Sequence, residues 1–145
     1  MRKDHHCAED AGFAVRDSIA WRPVLTVAKY AGDDLTVDPL DIIIAPGNLL
    51  TTAGLTRITS LIIAGGGQGA TNTATRLGVG NSSTAAAVGQ TDLQAAAGAA
   101  NRYFMTMDAT YPQVSAGVIT FKATFGTADG NFAWNEWCID IGTPT

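Results

Sequence analysis

The chain is poor in charged residues and in the side chains that most often carry out catalysis. Charged residues make up 15% of its 145 residues, whereas an average soluble domain has roughly 25%. Its two histidines stand side by side at His5 and His6. A Ser-His-Asp or Cys-His site would have to take its histidine from this N-terminal stretch. We therefore predict that the protein is not an enzyme.

A basic surface and a long apolar run are also missing. The formal net charge is −4, and we expect no nucleic acid as a partner, because lysine and arginine are needed to neutralise phosphates. The sequence has no apolar run of the roughly 18 residues that a membrane span requires, so we expect no membrane partner. Residues 1–17 lack the apolar centre of a signal peptide, which favours synthesis in a cytoplasm.

Cysteine is scarce as well. Cys7 and Cys138 lie near opposite ends of the chain, and two cysteines do not make a disulfide framework. The run Asp4–Cys7, "DHHC", contains metal-ligand residue types, but adjacent residues rarely converge on one metal and no second ligand cluster follows. We expect no metal and no cofactor. The two cysteines could form a disulfide if the chain termini meet, and the sequence does not decide this.

The remaining sequence is typical of one β-rich domain. Residues 1–20 are polar and mixed in charge, which predicts an extended N-terminal arm. Residues 21–145 are expected to form a single, mainly β domain, an antiparallel β-sandwich or barrel-like fold with one or two short helices inserted. Alternating or β-branched runs predict the strands, which we place at residues 21–30, 40–46, 76–79, 102–108, 118–125 and 132–141.

The glycine-rich stretch "IIAGGGQGA" raises the question of a nucleotide site. Gly65, Gly67 and Ala70 satisfy the dinucleotide-binding pattern G-x-G-x-x-A, but that site needs a strand before the glycines and a helix after them. The apolar spacing in front of Gly65 instead predicts a helix over about residues 49–63, with Asn48 as its N-cap. On this interpretation the glycines end the helix.

A second short helix is predicted over residues 91–100. Thr91 would be its N-cap, and Asp92 would lie in its first turn, where a negative charge is favourable.

Glu136 is the most informative carboxylate, because it lies between Trp134 and Trp137. A buried carboxylate would be an acid–base candidate. A structural role is favoured, in which Glu136 accepts hydrogen bonds from the backbone of a neighbouring loop or pairs with Arg57, Arg76 or Arg102. The aromatic residues could form a carbohydrate platform, but we expect most of them in the core and at subunit contacts. The candidate structural and interface residues are Trp21, Asn48, Leu55, Arg57, Arg102, Tyr111, Trp134, Glu136 and Trp137.

Three segments in order resemble a family of tailed-phage virion structural proteins. They are "NLLTTAGLTRITSLIIAG", "RLGVGNSSTAAAVGQTDLQ" and "ITFKATFGTADGNFAWNEWCID", and together they span about residues 46–141. The family pattern has a leading helix N-x-x-x-x-x-G-L-x-x-I, a strand ending in G-x-G before small residues and T-x-L, and a hairpin with F-x-A-T-F and an aromatic-x-E segment. The family often continues this last segment as E-x-G-L-F, whereas here Glu136 is followed by Trp137, Cys138 and Ile139.

The resemblance implies a non-enzymatic capsid decoration (cement or minor capsid) protein on the outer surface of a phage head. Its partners would be the major capsid protein and other copies of itself, as a homo-oligomer that we expect to be a trimer. The alternative is a tail or fibre component that acts as a receptor- or glycan-binding module.

Overall fold

The computed structural model describes residues 21–142, which form seven strands and one helix. It confirms a mainly β, antiparallel fold with one inserted helix. The N-terminal arm, the Asp4–Cys7 cluster and the pairing of Cys7 with Cys138 lie outside the described residues, and the domain boundary at residue 20 stays a prediction. The elements are β1 (Val24–Lys29), β2 (Asp41–Pro46), α1 (Thr52–Ile62), β3 (Thr75–Gly80), β4 (Arg102–Thr106), β5 (Gln113–Ser115), β6 (Val118–Thr120) and β7 (Glu136–Ile141).

The central sheet has the strand order β4-β3-β7, and β3 is its buried middle strand. Val79 of β3 has no exposed surface and lies opposite Tyr103 on one side and Trp137 on the other. The alternation predicted for residues 102–108 and 136–141 places both aromatic side chains on the sheet face of Val79, as the register shows. The apolar core of the described residues consists of Ala74, Val79, Leu93, Ala95 and Met107.

The other strands form two separate two-stranded sheets. One pairs β1 with β2 and the other pairs β5 with β6, both antiparallel. A two-stranded sheet is marginally stable in water unless another layer covers it. Two strand predictions were too long: the strand expected over residues 118–125 ends at Thr120, and the one expected over residues 132–141 begins at Glu136.

The start of α1 differs from the prediction. Thr51, not Asn48, is the N-cap, because its side chain accepts a hydrogen bond from the Gly54 amide at 3.2 Å. Asn48 has two other partners: its side-chain oxygen accepts from the Leu49 amide, and its Nδ2 donates to the Trp137 carbonyl oxygen at 3.3 Å. Asn48 therefore ties the segment before the helix to β7.

The second helix, predicted over residues 91–100, does not form; turns and bends occupy that stretch. In a helix capped by Thr91, the Ala95 amide would bond to the Thr91 carbonyl oxygen. It donates instead to the Glu136 carboxylate. Gly98 has a φ of 112°, which is incompatible with an α-helix.

The glycines follow a helix and precede a strand, which is the reverse of the order that a dinucleotide site requires. The Gly65 amide donates to the Ser60 carbonyl oxygen at 2.7 Å, and the Ala64 amide donates to that of Leu61 at 3.3 Å. These two bonds form a Schellman motif that ends α1. The residue in its left-handed position is Ala64, with a φ of 54°, and not a glycine as predicted.

Replacing Ala64 by glycine should stabilise the protein. The left-handed backbone is strained for alanine and easily adopted by glycine, so we expect Ala64→Gly to raise the free energy of unfolding by about 0.5–1 kcal/mol. Urea denaturation followed by circular dichroism measures the change. Gly66→Ala is the matched opposite variant, because Gly66 has a φ of 85° and open space around it. It should lower the free energy of unfolding, and equal midpoints for the two variants would contradict a left-handed backbone at these positions.

Candidate functional site

Eight of the fifteen charged side chains in residues 21–142 form four separate ion pairs. Arg76 donates to Asp140 through Nε at 3.0 Å across the central sheet, and Arg102 donates to Asp92 at 2.8 Å. Two ion pairs are looser, Lys122 with Asp108 at 3.5 Å and Lys29 with Asp41 at 3.7 Å. Between residues 21 and 142 no group of three metal-ligating side chains comes together.

A surface depression beside α1 has few side chains in its wall that could take part in catalysis. It measures about 740 Å³ and lies between α1 and the loops at residues 65–67 and 89–91. Arg57 is the charged residue in its wall, and its guanidinium donates to the Gln68 carbonyl oxygen at 3.1 Å. No nucleophile–base pair lies in this depression, so it offers no arrangement for acyl transfer or hydrolysis.

Glu136 fastens a loop to the central sheet. Its two carboxylate oxygens accept hydrogen bonds from the backbone amides of Gln94 at 2.8 Å and Ala95 at 2.7 Å. This is one of the two kinds of contact expected for Glu136; the pairing with an arginine is not made. Gly80 leaves room for the arrangement, because a Cβ there would collide with the Glu136 carboxylate. The carboxylate thus positions the loop whose residues Leu93 and Ala95 enter the core.

The thiol of Cys138 lies on the same face of the sheet. Burial raises the pKa of the Cys138 thiol from 9.0 to about 12, and the nearby Asp140 carboxylate adds to the increase. The thiol is therefore neutral at physiological pH, which makes it a weak nucleophile and a weak metal ligand.

Three of the four predicted aromatic candidates, Tyr111, Trp134 and Trp137, are half-buried, and none of them is in the core. Trp134 packs on Phe125 with ring centroids 4.8 Å apart, and Phe125 lies 6.2 Å from Tyr103. The indole of Trp134 donates to the Gly130 carbonyl oxygen at 2.8 Å. Tyr111 and Trp137 are half-buried, and the Lys122 ammonium lies 5.7 Å from the centre of the Tyr111 ring. Trp21 is the exposed aromatic residue among those described.

Apolar side chains form the most unusual feature of the surface. The β1–β2 sheet turns one whole face to solvent, which we call the outer hairpin face. It consists of Val24, Thr26, Ala28, Ile42, Ile44 and Pro46, all exposed and none charged. Ile44 keeps 64% of its surface exposed.

The helix also exposes apolar side chains. No residue of α1 is buried. Leu55, Ile58, Leu61 and Ile62 lie at helical spacing, and with Ile63 just after the helix they form the group that we call the α1 stripe. All five are exposed, and Ile62 keeps 73% of its surface in contact with solvent. The more covered positions on α1 include Gly54, Arg57 and Ser60.

Of the predicted interface residues, Trp21, Asn48 and Leu55 are exposed. Hydrogen-bond partners within the chain are present for Asn48, Arg57, Arg102, Trp134 and Glu136. Sequence reasoning missed Ile42, Ile44 and Ile62 as surface residues. A signal was present for the first two, because three successive isoleucines are typical of a strand covered on both faces. A two-stranded sheet cannot provide that cover.

Comparison of the chain with models of protein families, with curated proteins and with solved structures gave no match. Within the described range, no helix has both the length and the apolar character needed to cross a membrane.

Removing the Glu136 carboxylate should loosen the loop. Glu136→Ala leaves the Ala95 amide buried without an acceptor, so we expect the free energy of unfolding to fall by about 1–3 kcal/mol. Glu136→Gln keeps one acceptor oxygen and should lose less. Asp38→Ala, at an exposed position, should stay within about 0.5 kcal/mol of the parent. Denaturant midpoints measure all three variants. A midpoint for Glu136→Ala equal to that of the parent would contradict the role of Glu136 in holding the loop.

The buried Cys138 thiol should react slowly. In a Cys7→Ser background at pH 8, we expect the folded protein to react with a thiol reagent on the order of a hundredfold more slowly than the unfolded chain. Because the folded pKa is raised, the contribution of this thiol to stability is present below about pH 9 and is lost as the pH rises towards about 12. Equal rates for folded and unfolded protein would contradict the burial.

Proposed function

We propose that this chain is a non-enzymatic structural protein of a tailed-phage virion, a capsid decoration protein that binds the assembled head. The observation that carries the proposal is the mismatch between core and surface. In the described residues the apolar core has five members, while eighteen large apolar side chains are exposed. Exposed apolar patches larger than a few hundred Å² mark interaction sites on soluble proteins. We infer that this protein functions by binding a protein partner through its exposed apolar surface.

The proposed mechanism is mechanical. A packaged head is under internal pressure and would open at the junctions between capsomers. A small oligomer seated over a junction binds the assembled shell and not the loose subunits, so it stabilises the assembled state by mass action. Several weak contacts in one oligomer reinforce one another, because the first contact raises the effective concentration of the rest.

The aliphatic character of the exposed surface supports this mechanism over a binding module for sugars. A glycan platform needs exposed aromatic rings, and Trp21 is the exposed one in the described part of the chain. Tyr103, Phe125 and Trp134 pack on one another instead. The exposed surface is aliphatic, which suits contacts between proteins.

Copy number in purified virions tests the proposal. Quantitative mass spectrometry against the major capsid protein should give a ratio near one to one or a fixed large fraction of it. Heads from a phage that lacks the gene should release their DNA at a lower temperature, and adding the purified protein back should restore the release temperature. A handful of copies per particle would instead support the tail or fibre module, and absence from virions would reject both.

A further inference from the structure

We propose that copies of this chain bind one another head to tail, with the outer hairpin face of one copy packed on the α1 stripe of the next. The inference deepens the proposed function and rests on it for the expectation that the protein works as an oligomer. It names the two surfaces and the order in which they meet.

The outer hairpin face has the chemistry of a buried sheet face. In the register of β1 with β2, Thr26 lies opposite Ile44 and Ala28 lies opposite Ile42. Lys29 and Asp41, the charged residues of the two strands, pair with each other on the opposite face. Covering the outer face therefore buries no charge, and burial of an unpaired charge is what most strongly opposes association.

The α1 stripe offers a matching surface. Its members are aliphatic, and it also carries no charge. The helix has 11 residues and is therefore about 16 Å long, while the strands of the hairpin have 6 residues and are about 20 Å long. A helix laid along a sheet face of this size covers about four fifths of its length.

Within one copy these two surfaces do not meet. No Cα of α1 lies within 8 Å of a Cα in β1 or β2. The five residues between β2 and α1 are fixed at several points: the Gly47 amide donates to the Pro23 carbonyl oxygen, and Asn48 is held by β7. The Thr52 amide at the start of the helix donates to the Val88 carbonyl oxygen at 2.8 Å. Within residues 21–142, neither surface therefore has a partner, and we assign that partner to another copy.

The exposed apolar area fits a contact of modest size that is repeated around a ring. The hairpin face contributes Val24, Ile42 and Ile44, and the stripe contributes its five members, so that eight large apolar side chains are exposed by 39–78%. At roughly 100 Å² for each fully exposed side chain, one copy offers roughly 450 Å² of apolar surface. One head-to-tail contact buries the hairpin face of one copy and the stripe of the next, so this area is the total from both partners. It corresponds to the apolar share of an interface of about 800 Å² in total, half the standard size, and a ring gives each copy two such contacts.

A second copy is the partner that satisfies both surfaces at once. Every copy carries one hairpin face and one stripe, so a ring of copies leaves neither exposed. Two unlike surfaces can meet reciprocally in a two-fold dimer or in sequence around a ring. We propose the ring, which a heterologous contact produces when its rotation closes. This agrees with the trimer expected from the sequence.

Cross-linking between copies that each carry one engineered cysteine beside the buried Cys138 tests the order of the contact. We would co-express Ile44→Cys and Ile62→Cys chains, each with its own tag and in a Cys7→Ser background, and treat them with a short bismaleimide. The expected product joins the two tags. Either variant expressed alone should give no cross-linked dimer, and neither should the Cys7→Ser background. A chain with both cysteines should give a ladder that ends at the size of the ring.

A charge substitution tests the need for the contact. Ile44→Asp should raise the dissociation constant of the oligomer at least tenfold, as measured by sedimentation. Val114→Asp is the matched control, because Val114 is 74% exposed on the other two-stranded sheet. It should leave the dissociation constant unchanged.

Three results would overturn the inference. A cross-link between two Ile44→Cys copies would show hairpin faces meeting each other. A parent protein that stays monomeric at all concentrations would show that the contact does not form. An Ile44→Asp variant that stays oligomeric but no longer binds heads would assign the hairpin face to the shell, and in that case the proposed function would stand while this inference fails.

Discussion

The close packing of side chains against the glycines of β3 is the constraint on which the central sheet depends. A Cβ at Gly78 would collide with Phe104 and Cys138, and one at Gly80 would collide with Glu136. Side chains from β4 and β7 therefore lie directly over the backbone of the middle strand. Because Gly80 leaves space, the Glu136 carboxylate reaches the amides of residues 94 and 95. The loop that supplies Leu93 and Ala95 to the core is held by that contact.

This compact centre leaves the rest of the chain without a second layer. A three-stranded sheet with one loop across it can cover few apolar side chains, and the described residues bury five of them in the core. The β1–β2 sheet, the β5–β6 sheet and α1 all lie beyond its reach. Elements of this kind gain little stability from their own chain. Their order would depend on a neighbour, so that stability and assembly would be linked.

Local signals in the sequence predicted what depends on local physics. The alternation along residues 136–141 correctly predicted that Trp137 and Glu136 lie on opposite faces of the sheet. The helical spacing before Gly65 correctly predicted that the glycines follow a helix, which argues against a nucleotide site. The loop contact of Glu136 followed from its position between two tryptophans. Two predictions failed. The helix begins later than predicted, so Thr51 caps it while Asn48 bonds to Leu49 and Trp137. Glu136, which is distant in sequence, takes the Ala95 amide that a second helix would need. Periodicity along a chain shows which side is apolar, but it does not show what covers that side.

The low charge of the chain is easier to explain for a protein that assembles with other copies than for a monomer. A monomer with exposed isoleucines risks pairing at random through its strand edges. The loop joining β1 to β2 carries Asp33, Asp34 and Asp38, all exposed, at the tip of the hairpin. Like charges there oppose tip-to-tip association of two copies, and they leave the uncharged face beside them open. In the proposed contact between that face and the α1 stripe, the acidic tips would not have to meet. The distribution of the few charges thus favours the same head-to-tail order as the apolar surfaces.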